Sequence, residues 1–193
     1  KLADECLASG KNVLYLVPEI ALSIQLEHRL EKHFGTRLSV YHSAKQAATK
    51  RDIADKIRKA EENYLVLGTR SSLFLPHNNL GLIIVDEEHD SSYKQDSPAP
   101  RYNGRDVAAM LAVQQDCRLI LGSATPSLES LYNVYCKKYS LVKLSEKYYG
   151  NSESTVMIID TKTEWKKRGM KGNFSIKLIE QIRKCLEHKG QVL

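Results

Sequence analysis

The 193-residue sequence predicts an α/β fold in which a mostly parallel β-sheet is flanked by helices. Three observations carry that prediction. Short β-branched runs alternate with polar segments whose apolar residues recur at helical spacing. Most of the runs are apolar throughout, as in strands buried on both faces. Acids, hydroxyls and a histidine collect just past the ends of these runs, where ligands bind in open parallel sheets.

Taken in order, the strands fall at residues 13–17, 38–41, 64–67, 82–85 and 119–121. A helix over residues 1–9 ends at Gly10. Leu22, Leu26, Leu30 and Phe34 recur every four residues and stop at Gly35, the pattern of a helix that docks one stripe on the sheet. Ile53 with Ile57 marks the next helix. Val107, Met110 and Leu111 mark a third, behind Asn103-Gly104, and Ser127 is placed to cap a fourth. Beyond Ser145 the texture changes. Residues 147–154 read as turns, residues 156–160 as a strand, and the polar, basic residues 161–173 as a mobile connection. A last helix carries Ile179, Ile182 and Leu186 and ends at Gly190, with residues 191–193 as the start of another strand. The expected organisation is a first lobe over residues 1–145, a strand and inter-lobe connection over 146–173, and the beginning of a second lobe over 174–193.

Composition narrows the function. Apolar residues make up 42% and charged residues 27%, which excludes disordered and collagen-like chains, and no apolar run nears the roughly 20 residues that cross a bilayer. Cys6, Cys117, Cys136 and Cys185 lie far apart with no C-x-x-C, so the sequence holds neither a zinc knuckle nor a disulfide framework and suits a reducing cytoplasm. Cys117, beside a strand, reads as a small hydrophobe. The six histidines form no H-x-x-x-H pair. A net charge of +6 favours a polyanionic partner without requiring one. The chain opens on Lys with no signal core, as a piece of a longer protein would.

The sharpest motif is residues 82–89, Leu-Ile-Ile-Val-Asp-Glu-Glu-His. Three neighbouring acids at one strand end repel one another unless a cation or a cationic partner offsets them, and a magnesium nucleotide is the natural offset. In a P-loop NTPase the first Asp of such a cluster, here Asp86, helps hold Mg²⁺, commonly through water, and the next Glu, here Glu87, can orient or deprotonate the attacking water. The plain alternative is a solvated acidic loop. Residues 121–126, Leu-Gly-Ser-Ala-Thr-Pro, place small hydroxyl side chains at a second strand end, where Ser123 and Thr125 can pass hydrogen bonds to a neighbouring motif. Two weaker segments, Pro18 to Gln25 and Gly68 to Ser72, offer backbone N–H groups, hydroxyls and Arg70 to a nucleic-acid phosphate, although ordinary helix caps explain either.

Together the strings at residues 17–23, 41–43, 67–76, 79–95, 101–102, 105–108 and 122–130 resemble the primosomal protein N′ family, the superfamily 2 DExH helicases of bacterial replication restart. The resemblance is specific from about residue 6 to residue 145. It implies a RecA-like P-loop NTPase domain, followed by the start of a second RecA-like lobe, in a cytoplasmic ATP-dependent DNA helicase. That enzyme moves 3′ to 5′, uses ATP and Mg²⁺, and acts on single-stranded and forked DNA with primosome proteins and single-stranded DNA-binding protein. By the same resemblance Asp86 serves Mg²⁺ and, with Glu87, the nucleotide. Glu87 is the catalytic base, and His89, Ser123 and Thr125 couple hydrolysis to DNA movement. The DNA contacts it implies are Pro18, Glu19, Ser23, Thr69, Arg70 and Ser71, with Tyr93, Lys94, Arg101, Tyr102 and Arg105 from the aromatic, basic loop behind the acidic motif.

The sequence departs from that family in ways that matter. No G-x-x-x-x-G-K-[ST] string is present; Ser9-Gly10-Lys11-Asn12 lacks both the first Gly and the hydroxyl after Lys. A P-loop trimmed upstream of Lys1 is expected, and with it an isolated chain that is catalytically inactive. The fork-binding domain, the zinc-binding cysteines and the remaining motifs of the second lobe are missing too, so no zinc site is expected here, and the chain is expected to be monomeric with no membrane partner. The basic run of Lys162, Lys166, Lys167, Arg168 and Lys171 around Trp165 reads as a solvated linker. Two other readings stay open: a nucleotide-independent DNA-binding or assembly module, and an RNA helicase of the same superfamily.

Overall fold

The computed structural model describes residues 1–18, 24–59, 62–144, 156–167 and 169–192. The chain separates into two compact units, Lys1–Leu141 and Val142–Leu193.

In the first unit the elements run α1 (Leu2–Ala8), β1 (Asn12–Leu16), α2 (Ile24–Phe34), β2 (Leu38–Tyr41), α3 (Ala47–Lys59), β3 (Leu65–Gly68), β4 (Leu80–Val85), β5 (Lys94–Gln95), β6 (Tyr102–Asn103), α4 (Gly104–Gln114), β7 (Arg118–Leu121) and α5 (Leu128–Tyr135). Five strands form one sheet in the order β2-β3-β1-β4-β7, and every pairing is parallel. The predicted parallel sheet is therefore present. β1 sits at its centre, with Leu14 opposite Val66 on one side and Ile83 on the other. Side chains alternate across the pleat, so the sheet has two apolar faces. Leu14, Leu16, Val66, Ile83 and Val85 pack with Ile57 of α3 and Ala108 and Ala112 of α4. Val13, Val17, Leu65, Leu67 and Leu82 pack with Leu7 of α1 and Phe34 of α2. Fully burying a side chain of this size is worth ~1.5–3 kcal/mol, so these two clusters fix the register that brings the strand ends into line.

Several local expectations hold. Gly10, at φ +80, closes the turn after α1, and Ser127 caps α5 by accepting the Ser130 N–H. Cys117 packs half-buried against the core. Others need correction. Met110 is 73% exposed and takes no part in the α4 stripe. The other two residues of the stripe, Val107 and Leu111, do pack against the sheet core, beside the buried Ala108 and Ala112. Gly104 lets the start of the helix approach the turns that follow β3 and β4: a Cβ there would sit 3.2 Å from the Arg70 Cβ and 3.3 Å from the Tyr93 ring.

The second unit contains α6 (Thr161–Lys166), β8 (Met170–Lys171), β9 (Phe174–Ser175) and α7 (Ile176–Glu187). The expected strand at 156–160 is absent. These residues are irregular, with Val156 82% and Ile158 91% exposed, because among the described residues no strand pairs with them. The expected mobile connection is instead a short helix and a hairpin. The Asp160 carboxylate caps α6, accepting the Lys162 N–H at 3.0 Å and the Thr163 hydroxyl at 2.6 Å, while Gly172 at φ +60 turns β8 into antiparallel β9. Glu164 is buried and meets Lys177 of α7 at 3.1 Å. The predicted last helix is present as α7. Residues 191 and 192 form no strand, and residues 147–154, read as turns, lie outside the described residues, as does Leu193.

Candidate functional site

The acidic motif leaves the end of β4, between the central β1 and the edge strand β7, in a fixed sequence of turns. The Asp86 N–H still pairs with the Leu16 carbonyl at 2.9 Å, so its carboxylate emerges beside Tyr15 of β1. The Tyr15 hydroxyl donates to Asp86 Oδ2 at 2.9 Å, and the Glu87 N–H donates to Oδ1 at 3.1 Å. From below, the Tyr93 hydroxyl donates to the Asp86 carbonyl at 2.7 Å. Burial, reinforced by the Asp86 charge, pushes both phenols above the ordinary tyrosine value, so each keeps the proton it donates here.

At Glu87 the chain takes φ +46, a left-handed conformation that a non-glycine residue rarely adopts. The Asp90 N–H closes the bend onto the Glu87 carbonyl at 2.8 Å. Side chains then alternate between water and core. Glu87 is half exposed, Glu88 only 3% exposed, and His89 exposed again. His89 Nδ1 shares a 2.7 Å hydrogen bond with Ser123 Oγ and lies 3.6 Å from Glu87 Oε2. Its Nε2 reaches Thr125 Oγ1 at 3.4 Å, and the Thr125 N–H closes the set on Ser123 Oγ at 3.0 Å. Glu87, His89, Ser123 and Thr125 thus converge from two strand ends. Gly122 joins those ends: its N–H donates to the Val85 carbonyl at 2.8 Å and its carbonyl accepts the Glu88 N–H at 3.0 Å.

Glu88 overturns part of the electrostatic expectation. Its charge is offset inside the protein, without recourse to a metal ion. Oε1 accepts the Ser127 N–H at 2.7 Å; Oε2 accepts the hydroxyls of Ser127 and Ser130, each at 2.9 Å, and Arg105 Nη1 at 3.2 Å. Burial alone would raise its carboxyl, but these donors outweigh it and hold the group below the ordinary glutamate value. Only two acids of the motif, Asp86 and Glu87, face outward. Among the described residues no group of three or more His, Cys, Asp or Glu side chains is arranged to hold a metal ion.

The implied DNA contacts divide. Arg105 is 8% exposed and committed to Glu88, with Asp106 at 3.2 Å from its Nε, so it is not available to a phosphate. Tyr93 and Thr69 are buried at 1% and 2% exposure, and Pro18 is buried as well. Arg70 donates from Nη1 to the carbonyls of Ser92 and Lys94 at 3.0 and 2.7 Å; it shapes the loop, with Ser71 half-buried beside it. Glu19 and Ser23 lie outside the described residues. Lys94 and Arg101 stay exposed, and Tyr102 is half-buried with Phe74 edge-on to it at 5.1 Å. Phe74, itself 61% exposed, is the residue that sequence reasoning misses. Its signal is an aromatic in the short turn after β3, where the polar residues suited to phosphate draw attention first.

A parallel sheet in which the strand beside the central one ends in an Asp-Glu turn, tied through histidine to hydroxyls after the next strand, defines a helicase-type α/β domain. The profile of the DEAD/DEAH box helicase family matches residues 2–134, and the chain belongs to that family. Its relatives include the replication restart protein PriA of Chlamydia trachomatis serovar D, 43% identical over 186 residues that make up 96% of this chain and 25% of that protein. The PriA of Rickettsia felis is 41% identical over 197 residues, covering 100% of this chain and 29% of the relative. That of Bacillus subtilis is 38% identical over 188 residues, or 97% and 23%. Homology to PriA therefore extends over nearly the whole chain, which spans about a quarter of the length of these relatives.

Proposed function

We propose that the chain is the motor segment of an ATP-dependent, 3′ to 5′ DNA helicase of replication restart, acting at single-stranded and forked DNA with primosome proteins and single-stranded DNA-binding protein. The observation that carries this reading is His89, bonded to Ser123 and Thr125 and adjacent to Glu87. Strand pairing already sets the ends of β4 and β7 side by side, and His89 ties the outward-facing side chains of the two together.

In this reading Glu87 accepts the proton of the attacking water, and His89 reports the state of that carboxylate to the β7 end through its two hydroxyl partners. Asp86 fits a magnesium ion that keeps most of its waters and arrives with the triphosphate, since such ions take one or two protein carboxylates and not a full cage. When bound, that ion neutralises charge on the phosphate oxygens. Tyr15 and the Glu87 N–H hold the Asp86 carboxylate in one orientation toward it. No membrane role is proposed: among the described residues no helix is long and apolar enough to cross a bilayer.

The test is ATP hydrolysis by the full-length protein containing this chain, with single-stranded DNA and RNA of equal length added separately as activators. Stimulation by DNA at concentrations where RNA gives none is expected; equal stimulation by both would favour an RNA helicase, and none by either would leave only a binding module. For the strand contact, Lys94→Ala with Arg101→Ala is expected to lower the slope of log K against log salt by about 0.7 per charge removed, read by fluorescence anisotropy. An unchanged slope would remove this loop from the interface.

A further inference from the structure

Glu88 accepts hydrogen bonds from four groups, although it faces away from every feature given a chemical task above. Its carboxylate joins three elements: the turn after β4, Arg105 in the first turn of α4, and Ser127 and Ser130 at the start of α5. Ser127 serves twice, because its hydroxyl also accepts Arg105 Nη1 at 2.6 Å and the Ser130 N–H at 3.2 Å. Each buried polar atom of the knot has a partner, which is the condition under which a buried charged network specifies one geometry. A buried ion pair is weak evidence of stability, since apolar residues of equal volume often do as well. Its place in the chain is more informative. Glu88 follows directly on the left-handed bend at Glu87 and precedes His89. Pinning the middle residue by both its N–H and its carboxylate leaves the side chains on either side pointing outward, at the cost of a backbone conformation that a non-glycine residue holds only when its surroundings impose it.

We propose that Glu88, clamped by Arg105 and Ser127, is a positioning residue that imposes the bend at Glu87 and so sets the attack geometry of Glu87 and the reach of His89 to Ser123. This rests on the hydrolytic reading of the site. The buried acid acts through its neighbours and touches no substrate.

The test uses the full-length protein and three variants. Glu88→Ala with Arg105→Met removes the knot without stranding a charge, Glu88→Gln keeps an acceptor for the Ser127 N–H, and Ser127→Gly removes the hydroxymethyl group while leaving an acceptable cap residue. The double variant is expected to lose at least tenfold in kcat, with the affinity for a non-hydrolysable ATP analogue, followed by fluorescence, within threefold. Glu88→Gln is expected to stay within threefold in both. Hydrogen exchange should quicken at the amides of Glu88 and Asp90 and not at Ile83 in β4. A kcat kept within twofold by the double variant would overturn the positioning role. So would exchange that rises equally along β4 and α4, which is what a merely structural knot would give. If the double variant does not fold, Ser127→Gly decides: a three- to tenfold fall in kcat supports the role and an unchanged kcat overturns it. Absence of hydrolysis in the unsubstituted protein would instead overturn the functional reading beneath it, and analogue binding without turnover marks that case.

Discussion

Glu87→Gln is expected to lower DNA-stimulated ATP hydrolysis by the full-length protein roughly 10²- to 10⁴-fold, the usual contribution of a positioned general base. Glutamine has the same shape and meets the same left-handed backbone requirement at φ +46, so neither the fold nor the turn has reason to change. What it lacks is a group that takes up a proton from water. The loss therefore belongs in kcat, with KM for ATP nearly constant and anisotropy on single-stranded DNA unaltered, a separation that marks an interaction made only in the transition state. His89 lies 3.6 Å from the Glu87 carboxylate and is bonded to Ser123, and the neutral variant also weakens that contact, so ATP turnover and strand movement should fall together. Phosphate release measured across ATP concentrations checks this. A kcat within threefold of the unsubstituted protein would take Glu87 out of the mechanism and leave the acidic turn as an arrangement of charge alone.

How far such a site is legible in sequence depends on which interactions build it. Strand ends are written locally: a short apolar run followed by Asp86 and Glu87, or by Gly122, Ser123 and Thr125, announces both position and chemistry, and a parallel sheet brings them into one row. The partner of each polar group is not written locally. Glu88 and Arg105 are 17 residues apart and read separately as one more acid of a metal cluster and one more cation for DNA, yet folding pairs them in the core at 3.2 Å. Arg70 misleads in the same way, since its cation holds two loop carbonyls. Met110 alone leaves the predicted stripe: Val107 and Leu111 pack on the core beside Ala108 and Ala112, while the methionine turns to water. Residues 156–160 have the β-branched look of a strand, but a strand needs a neighbour to take its hydrogen bonds, and the described residues offer none.

Arg105→Met is expected to cost the first unit about 3–5 kcal/mol, the usual penalty for removing one partner of a buried ion pair, because it leaves the Glu88 charge at 3% exposure with only neutral donors. Methionine fills much of the same volume, so the loss is electrostatic and not a cavity. Its signature is therefore reversal by a second change. In Arg105→Met with Glu88→Gln no charge remains to be stranded. The amide oxygen of the substituted side chain still accepts the Ser127 N–H, and its NH₂ group has the Ser127 and Ser130 hydroxyls as acceptors. Most of the lost stability should return. Native-state hydrogen exchange at the Ile83 and Val85 amides of the full-length protein measures the opening of this unit directly. Equal losses in the single and double variants would mean that Arg105 is held for its packing against α4 and not for its charge. Recovery in the double variant would show that the third acid of the motif is neutralised from within, so that only Asp86 and Glu87 carry uncompensated charge into the site.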